Sequence, residues 1–245
     1  MGRKGEKKHL KRKPAPKMWP IHRKEAVWTV KPKPGPHSLS NSLPLEFIVR
    51  DMLNFANTGR EAKNVISQEK IRVDGKVRRD ERFLVGLMDV ISIVDTEQFY
   101  RVLPSKKGLF LHSINSDEAA FKLYRIEDKT VVKGGKVQLD HHDGTSYPIP
   151  EEDTYQTLDV LKLSVPDRDL MGHTKLNIGA PAIVTGGKNI GKYGRVTIIE
   201  KKPNQKRRDL IVTLEDTSGN QFQTILDFVF VLGDTEPSIS LPEGN

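Results

Sequence analysis

The chain's first clear amphipathic pattern begins abruptly at Leu43-Pro44-Leu45. Leu45, Ile48, Val49, Met52, Leu53 and Ala56 recur at helical spacing, with Arg50, Asp51 and Asn54 on the other face, so the pattern predicts a helix that runs to Ala56. Pro44 suits a first helical position. After a break at Asn57, Thr58-Gly59-Arg60-Glu61 has the form of a capping box. It predicts a shorter second helix, with Ala62, Val65 and Ile66 inward and Arg60, Lys63 and Asn64 outward. The period then changes to two. Ile71-Arg72-Val73-Asp74-Gly75-Lys76-Val77-Arg78 places Asp-Gly between alternating apolar residues, a strong hairpin signal. A strict two-residue turn would pair Val73 with Lys76 and Arg72 with Val77, which mixes the faces, so a longer loop stays open. Leu84 to Val94 reads as one further strand region, closing a small unit near residue 105.

From 106 to 173 the pattern is short strands with turns: Phe121 to Ile126, Thr130 to Val132, Lys136 to Asp140 and Leu158 to Val165, punctuated by Gly134-Gly135, Asp143-Gly144 and Pro148 to Pro150. Such spacing suggests a small barrel or sandwich. A last module predicts strands at Ala182 to Thr185, Arg195 to Glu200 and Asp209 to Leu214, then an apolar stretch from Ile225 to Leu232. The expected class is α+β and multidomain. Its divisions are a basic extension over 1–42, a small α/β unit over 43–105, a central β domain over 106–173, a β module over 174–232 and a tail over 233–245.

Charge changes the picture at the N-terminus. Residues 1 to 37 hold twelve Lys or Arg against Glu6 and Glu25, a net +10 in a chain whose total is +8. Six prolines interrupt this segment. It self-repels, cannot build its own core and is expected to become ordered only on a polyanion, where counterions released from phosphates drive binding. Trp19, Ile21, Val27, Trp28 and Val30 add apolar and stacking groups that a solubility tail does not need. Lys7, Lys8, His9, Lys11, Arg12, Lys13, Lys17 and Trp19 are therefore candidate nucleic-acid contacts. The unit at 43–79 adds Arg50, Arg60, Lys63, Arg72, Lys76, Arg78 and Arg79 on a scaffold whose apolar periodicity is intact, so phosphate positioning is expected there rather than base reading. The loop Lys201 to Arg208 contributes Lys206, Arg207 and Arg208.

Other chemistry is less well supported. The string Gly186 to Lys192 has the form G-x-x-x-x-G-K, but Tyr193 stands where a nucleotide-binding loop needs Ser or Thr for Mg²⁺, and a strand pattern follows instead of a helix. A tight loop that lets backbones approach is the better reading. Lys188, Lys192 and Arg195 would then face phosphates, and Tyr193 would stack on a base or ribose. Asp140-His141-His142-Asp143 has metal-binding residue types, yet neighbours on a strand point to opposite faces, so a hairpin turn at Asp143-Gly144 is preferred and no metal is expected. No nucleophile constellation is evident, and Glu151-Glu152-Asp153 reads as a solvated acidic loop. With no Cys there is no disulfide framework. No apolar run reaches the length of a membrane span, and no apolar core follows the basic start as in a secretory signal.

Lys7-Lys8-His9-Leu10-Lys11-Arg12, Ala15-Pro16-Lys17, Trp19, Pro32, Pro34-Gly35-Pro36-His37 and Leu43-Pro44-Leu45 together resemble the N-terminal signature of the small-subunit ribosomal protein S4e family of archaea and eukaryotes. In the same order along the chain, 43–105 is similar to that family's S4-type RNA-binding domain, and 178–196 to its KOW motif in an SH3-like β-barrel. The resemblance implies a non-catalytic protein of the small ribosomal subunit, located in the cytoplasm within the ribosome. Its implied partners are rRNA and neighbouring ribosomal proteins, with no cofactor, small-molecule substrate or membrane. Two other classes compete: an RNA-modifying enzyme with an S4-type domain, and a KOW-containing transcription-elongation factor. The first would need a large mixed α/β catalytic domain that nothing after 105 suggests. The second does not need the N-terminal signature.

Overall fold

The computed structural model describes residues 9–149, 154–200, 206 and 209–242. Strands β1 (Leu10–Lys11) and β2 (Trp28–Thr29) pair antiparallel, with Lys11 opposite Trp28. The loop between them turns Ala15 and Trp19 into the core of the following unit. For residues 9–37, the described part of the basic segment, the expectation of order only on a polyanion is corrected. The segment is too charged to bury itself, but its few apolar side chains complete a neighbour's core.

Strand β3 (Ser42–Pro44) pairs with Leu84–Gly86, so Leu43 and Pro44 are extended rather than helical. Helix α1 (Leu45–Phe47) then widens into a π-type turn at Ile48–Met52. There the Leu53 N–H donates to the Ile48 carbonyl at 2.9 Å, and Phe55 N–H to Val49 at 3.0 Å. Asn54 ends the turn with φ of 55°. The predicted helix is thereby shortened at both ends, and Met52 and Leu53 are only half-buried. Helix α2 (Gly59–Ser67) starts as its capping box requires: Glu61 N–H donates to Thr58 Oγ1 at 3.3 Å, while the Glu61 carboxylate reaches back to Asn57 N–H at 2.9 Å.

Strands β4 (Ile71–Val73) and β5 (Lys76–Val77) form the strict two-residue hairpin, Val73 opposite Lys76 and Arg72 opposite Val77. Asp74 and Gly75, with φ of 49° and 68°, make the turn. The mixed faces are resolved by leaving Val77 39% exposed. The single strand region expected over Leu84 to Val94 is instead two strands, β6 (Leu84–Gly86) and β7 (Val90–Ile93), because Asp89 accepts from Gly86 N–H at 2.8 Å and closes a turn. Strands β8 (Gln98–Ser105) and β9 (Gly108–Ile114) complete a five-stranded sheet in the order β5-β4-β7-β8-β9. The division expected at 105 falls in the turn of the β8–β9 hairpin, and the first sheet continues through Ile114.

A short helix, α3 (Ser116–Ala119), leads to the central sheet of β10 (Phe121–Val131), β11 (Val137–His141), β12 (Ser146–Ile149), β13 (Val160–Ser164) and β14 (Leu170–Thr174), ordered β12-β11-β10-β13-β14. The two strands expected at 121–126 and 130–132 are one, with a register irregularity between Ile126 and Asp128. The last sheet comprises β15 (Pro181–Val184), β16 (Tyr193–Ile199), β17 (Ile211–Glu215), β18 (Gln221–Ile225) and β19 (Val229–Val231), ordered β18-β17-β16-β15-β19. The three sheets share a core in which Met88, Leu103, Phe121, Leu123, Ile183 and Phe230 meet.

Candidate nucleic-acid interface

In the N-terminal loop Arg12 and Arg23 differ in role from the neighbouring His9, Lys11, Lys13 and Lys17. His9, Lys11, Lys13 and Lys17 are exposed. Arg12 is turned back on its own loop, donating to the carbonyls of His22 at 2.7 Å and Trp28 at 3.2 Å and pairing with Glu25. Arg23 donates to the carbonyls of Arg12, Ala15 and Pro16. These guanidiniums satisfy loop carbonyls that a short irregular segment cannot pair within itself. Trp19 is corrected as a stacking group: it is 2% exposed, and its indole N–H donates to the Ser42 carbonyl at 2.7 Å. Lys7 and Lys8 lie outside the described residues.

In the first sheet and its helices, Arg60, Lys63, Arg72, Lys76 and Arg79 are exposed. Arg79 pairs with Glu69 at 2.6 Å. Arg50 is held by Glu46 at 3.1 Å and by Asp51 at 2.7 Å. Arg78 is half-buried, its guanidinium 4.1 Å from the centre of the Phe83 ring. The hairpin register puts Arg72 and Lys76 on opposite faces, so these two cations do not form one patch.

The glycine loop joins β15 to β16 and is closed by Gly191 N–H donating to the Val184 carbonyl at 2.8 Å. A strand follows Lys192, where a nucleotide-binding loop would have a helix. Gly191 has φ of 82°, and a Cβ there would stand 2.7 Å from Ser105 Cα, so the loop rests directly on the β8–β9 turn. Lys188, Lys192 and Arg195 are exposed, Lys192 with its ammonium 5.1 Å from the Phe222 ring centre and Arg195 donating to the Gly179 carbonyl at 3.4 Å. Tyr193 is half-buried, packed in the shared core, with its hydroxyl donating to the Pro242 carbonyl at 3.3 Å. This corrects its assignment as a freely stacking ring. Lys206 is exposed, whereas Arg207 and Arg208 lie outside the described residues.

The pattern of the sequence missed a buried ionic junction. Lys122, on β10 and 0% exposed at its side chain, meets Asp74 at 2.8 Å, Asp89 at 2.5 Å and Asp143 at 3.3 Å. Asp89 also meets His37 at 2.9 Å. Burial alone would lower the Lys122 pKa, but the carboxylates of Asp74, Asp89 and Asp143 hold it well above its ordinary value. Burial would raise Asp89, and His37 and Lys122 reverse that and depress it. At Asp74 burial prevails over Lys122 and the pKa is raised. His142 accepts from Arg125 N–H at 3.2 Å and reaches the Leu87 carbonyl at 3.1 Å, the pattern of a neutral ring. Burial, aided by Lys122, pushes its pKa down to about 3, and burial pushes His141 down to about 4. The Asp140 to Asp143 side chains diverge: Asp140 accepts from Ser146, His141 faces Tyr124, His142 reaches Leu87 and Asp143 takes Lys122. Among the described residues no His, Asp or Glu group converges as a metal site. The sequence offered no clear signal, since Lys122 and Arg125 are both charges within Phe121 to Ile126 and neither stands out from the other.

Comparisons with known proteins decide the family. The chain is 50% identical to the small ribosomal subunit protein eS4 of Desulfurococcus amylolyticus and 50% identical to that of Aeropyrum pernix, each match covering 100% of this chain and 99% of the relative. The chain belongs to the ribosomal S4e family. The family description "Ribosomal family S4e" matches residues 96–170, "RS4NT (NUC023) domain" residues 4–40 and "S4 domain" residues 45–91. The S4e resemblance read from the N-terminal residues is thus confirmed. A more distant relative, the eS4 protein of Methanocaldococcus jannaschii, is 44% identical over 98% of this chain. The fold is similar to the crystal structure of the 30S ribosomal protein S4e from Thermoplasma acidophilum, with a TM-score of 0.68 and 31% identity over 80% of this chain and 96% of that one.

Proposed function

We propose that this chain is a structural, non-catalytic constituent of the small ribosomal subunit that binds its rRNA. The observation that carries this reading is the end-to-end likeness to eS4 proteins of the small subunit. Exposed cations on each of three modules support it, because phosphate contacts spread over a rigid scaffold position a protein on folded RNA without demanding a reactive centre. Lys11, Lys13 and Lys17 meet phosphates from the N-terminal segment, Arg60, Lys63, Arg72, Lys76 and Arg79 from the S4 unit, and Lys188, Lys192 and Arg195 from the glycine loop.

The C-terminal sheet is read as a KOW-type SH3-like barrel. Its five antiparallel strands and the Gly186–Gly191 loop support that reading. Neighbouring ribosomal proteins are the further partners, and the cytoplasmic ribosome is the location. The test is a salt-washed preparation of small subunits from cells expressing a tagged chain. The expected result is close to one copy per particle. Release at moderate salt, with no retained stoichiometric copy, would remove the structural role.

A further inference from the structure

Burial of Trp19 leaves Trp28 as the other tryptophan of the basic segment, and its setting is unlike that of a core residue. Trp28 is 56% exposed and its neighbour Val27 is 61% exposed. Tryptophan is on average a highly buried residue, so an indole held in water on a paired strand calls for a function. The ring is fixed by its surroundings: Trp28 is opposite Lys11 in the β1–β2 register, the Lys11 ammonium lies 5.9 Å from the ring centre, and the His9 ring lies 5.4 Å away at 51°. Beside it a cleft of about 310 Å³ opens between this hairpin and the start of α1. That volume is at the low end of the roughly 300–1,000 Å³ typical of ligand pockets.

The cleft is mixed in charge, with Arg12, Lys31, Arg50 and Arg82 against the carboxylates of Glu46 and Glu81. Glu46 is paired with Arg50, and Glu81 with Lys63 and Arg82, and the remaining carboxylate lone pairs can accept hydrogen bonds from the amino and imino N–H groups of a base. A base therefore suits the interior of the cleft, and the sugar–phosphate chain suits its margin at the cationic Lys11 and the polar ring of His9. The geometry points to a binding site for one unpaired nucleotide of RNA, its base stacked on Trp28 and its flanking phosphates beside His9 and Lys11. Single-stranded recognition by stacking needs an accessible aromatic face next to cations, and the segment's net +10 favours RNA over an apolar protein segment as the occupant. The inference rests on the RNA-binding reading above and sharpens it, since an A-form helix offers no unstacked base.

Tryptophan emission of the full chain tests it, with buried Trp19 as a constant background. The probes are a short single-stranded RNA and an RNA duplex with the same number of phosphates. The single strand is expected to quench Trp28 and shield it from iodide, and the duplex to do neither. Trp28→Ala should weaken single-strand binding about ten-fold or more and leave duplex binding nearly unchanged, whereas Trp28→Phe should retain most of the affinity. Equal single-strand affinity of Trp28→Ala and the parent, with unchanged emission, would overturn the site while the RNA-binding reading stands. Absence of salt-dependent binding to either RNA would overturn both. Shielding of Trp28 in assembled subunits but not by RNA alone would assign the cleft to a protein neighbour and overturn the proposal.

Discussion

Strand alternation puts Lys122 on the face opposite Phe121 and Leu123, where a solvated side chain would be expected. Its ammonium is fully buried and answered by carboxylates from three separate turns. Removing one member of such a junction leaves the others charged and unpaired in a low-dielectric interior. Lys122→Met should therefore cost about 3–5 kcal/mol, seen as a lower urea midpoint. Adding Asp89→Asn should cost less than the sum of the two single changes, because the second change removes a charge that the first had stranded. The histidines give a separate pH signature. His141 and His142 titrate at about 4 and about 3 in the fold against an ordinary value of 6.5. Between those values the unfolded chain binds more protons, so their stabilising contribution is complete above pH 6.5 and is lost as the pH falls towards the folded pKa values. His142→Gln should flatten the decline in melting temperature over that window. Depressed Asp89 acts in the same direction mainly around and below its ordinary value of 3.8, so the upper part of the decline, nearer pH 6.5, reports the histidines. None of this was legible from spacing, because the partners lie 33 and 48 positions from Lys122 in one direction and 21 in the other.

Elements were legible where a local rule suffices. The α2 capping box and the Asp74-Gly75 turn each involve a handful of adjacent residues, and both formed as their chemistry dictates. The first helix was not, because Leu43 and Pro44 had a stronger use as a strand against Leu84 and Val85, a pairing invisible without tertiary structure. The strand Gln221–Ile225 was missed for a related reason: it lies at the edge of its sheet, and Gln221, Gln223 and Thr224 break up its apolar residues, so it presents no apolar run. The need for glycine at 191 could be read from its place in the loop, but not the backbone it approaches. Gly191→Ala combines a positive φ with a 2.7 Å contact to Ser105 Cα. It should destabilise the chain by more than about 1 kcal/mol. Limited proteolysis should then release the C-terminal sheet faster than in the parent. An unchanged cleavage rate would mean that the glycine loop does not fasten this sheet to the β8–β9 turn.

At the scale of the whole molecule, charge and core are intertwined in one segment, and this changes how its role must be tested. Cutting off residues 1–37 would remove the cations together with Ala15 and Trp19, which belong to the core of the S4 unit. Lost binding after such a deletion would report unfolding as readily as lost phosphate contacts. The basic composition points to a polyanion partner for the segment, but only the fold separates Arg12 and Arg23, which bind their own loop, from the exposed Lys11, Lys13 and Lys17. Neutralising Lys11, Lys13 and Lys17 together to Gln leaves the Arg12 and Arg23 networks and the buried tryptophan in place. Exposed side chains of this kind contribute little to stability, about 0–1 kcal/mol even when paired, so the melting temperature should hold. Each phosphate contact contributes roughly 0.7–0.9 to the slope of log affinity against log salt, so the triple variant should bind small-subunit rRNA more weakly, with a slope shallower by about two to three. The deficit should shrink as salt rises, because screening weakens the parent's contacts while the variant has fewer to lose. A parallel loss at every salt concentration would point to a disturbed fold. An unchanged slope and affinity would take these three lysines off the RNA and leave the S4 unit and the glycine loop to hold it.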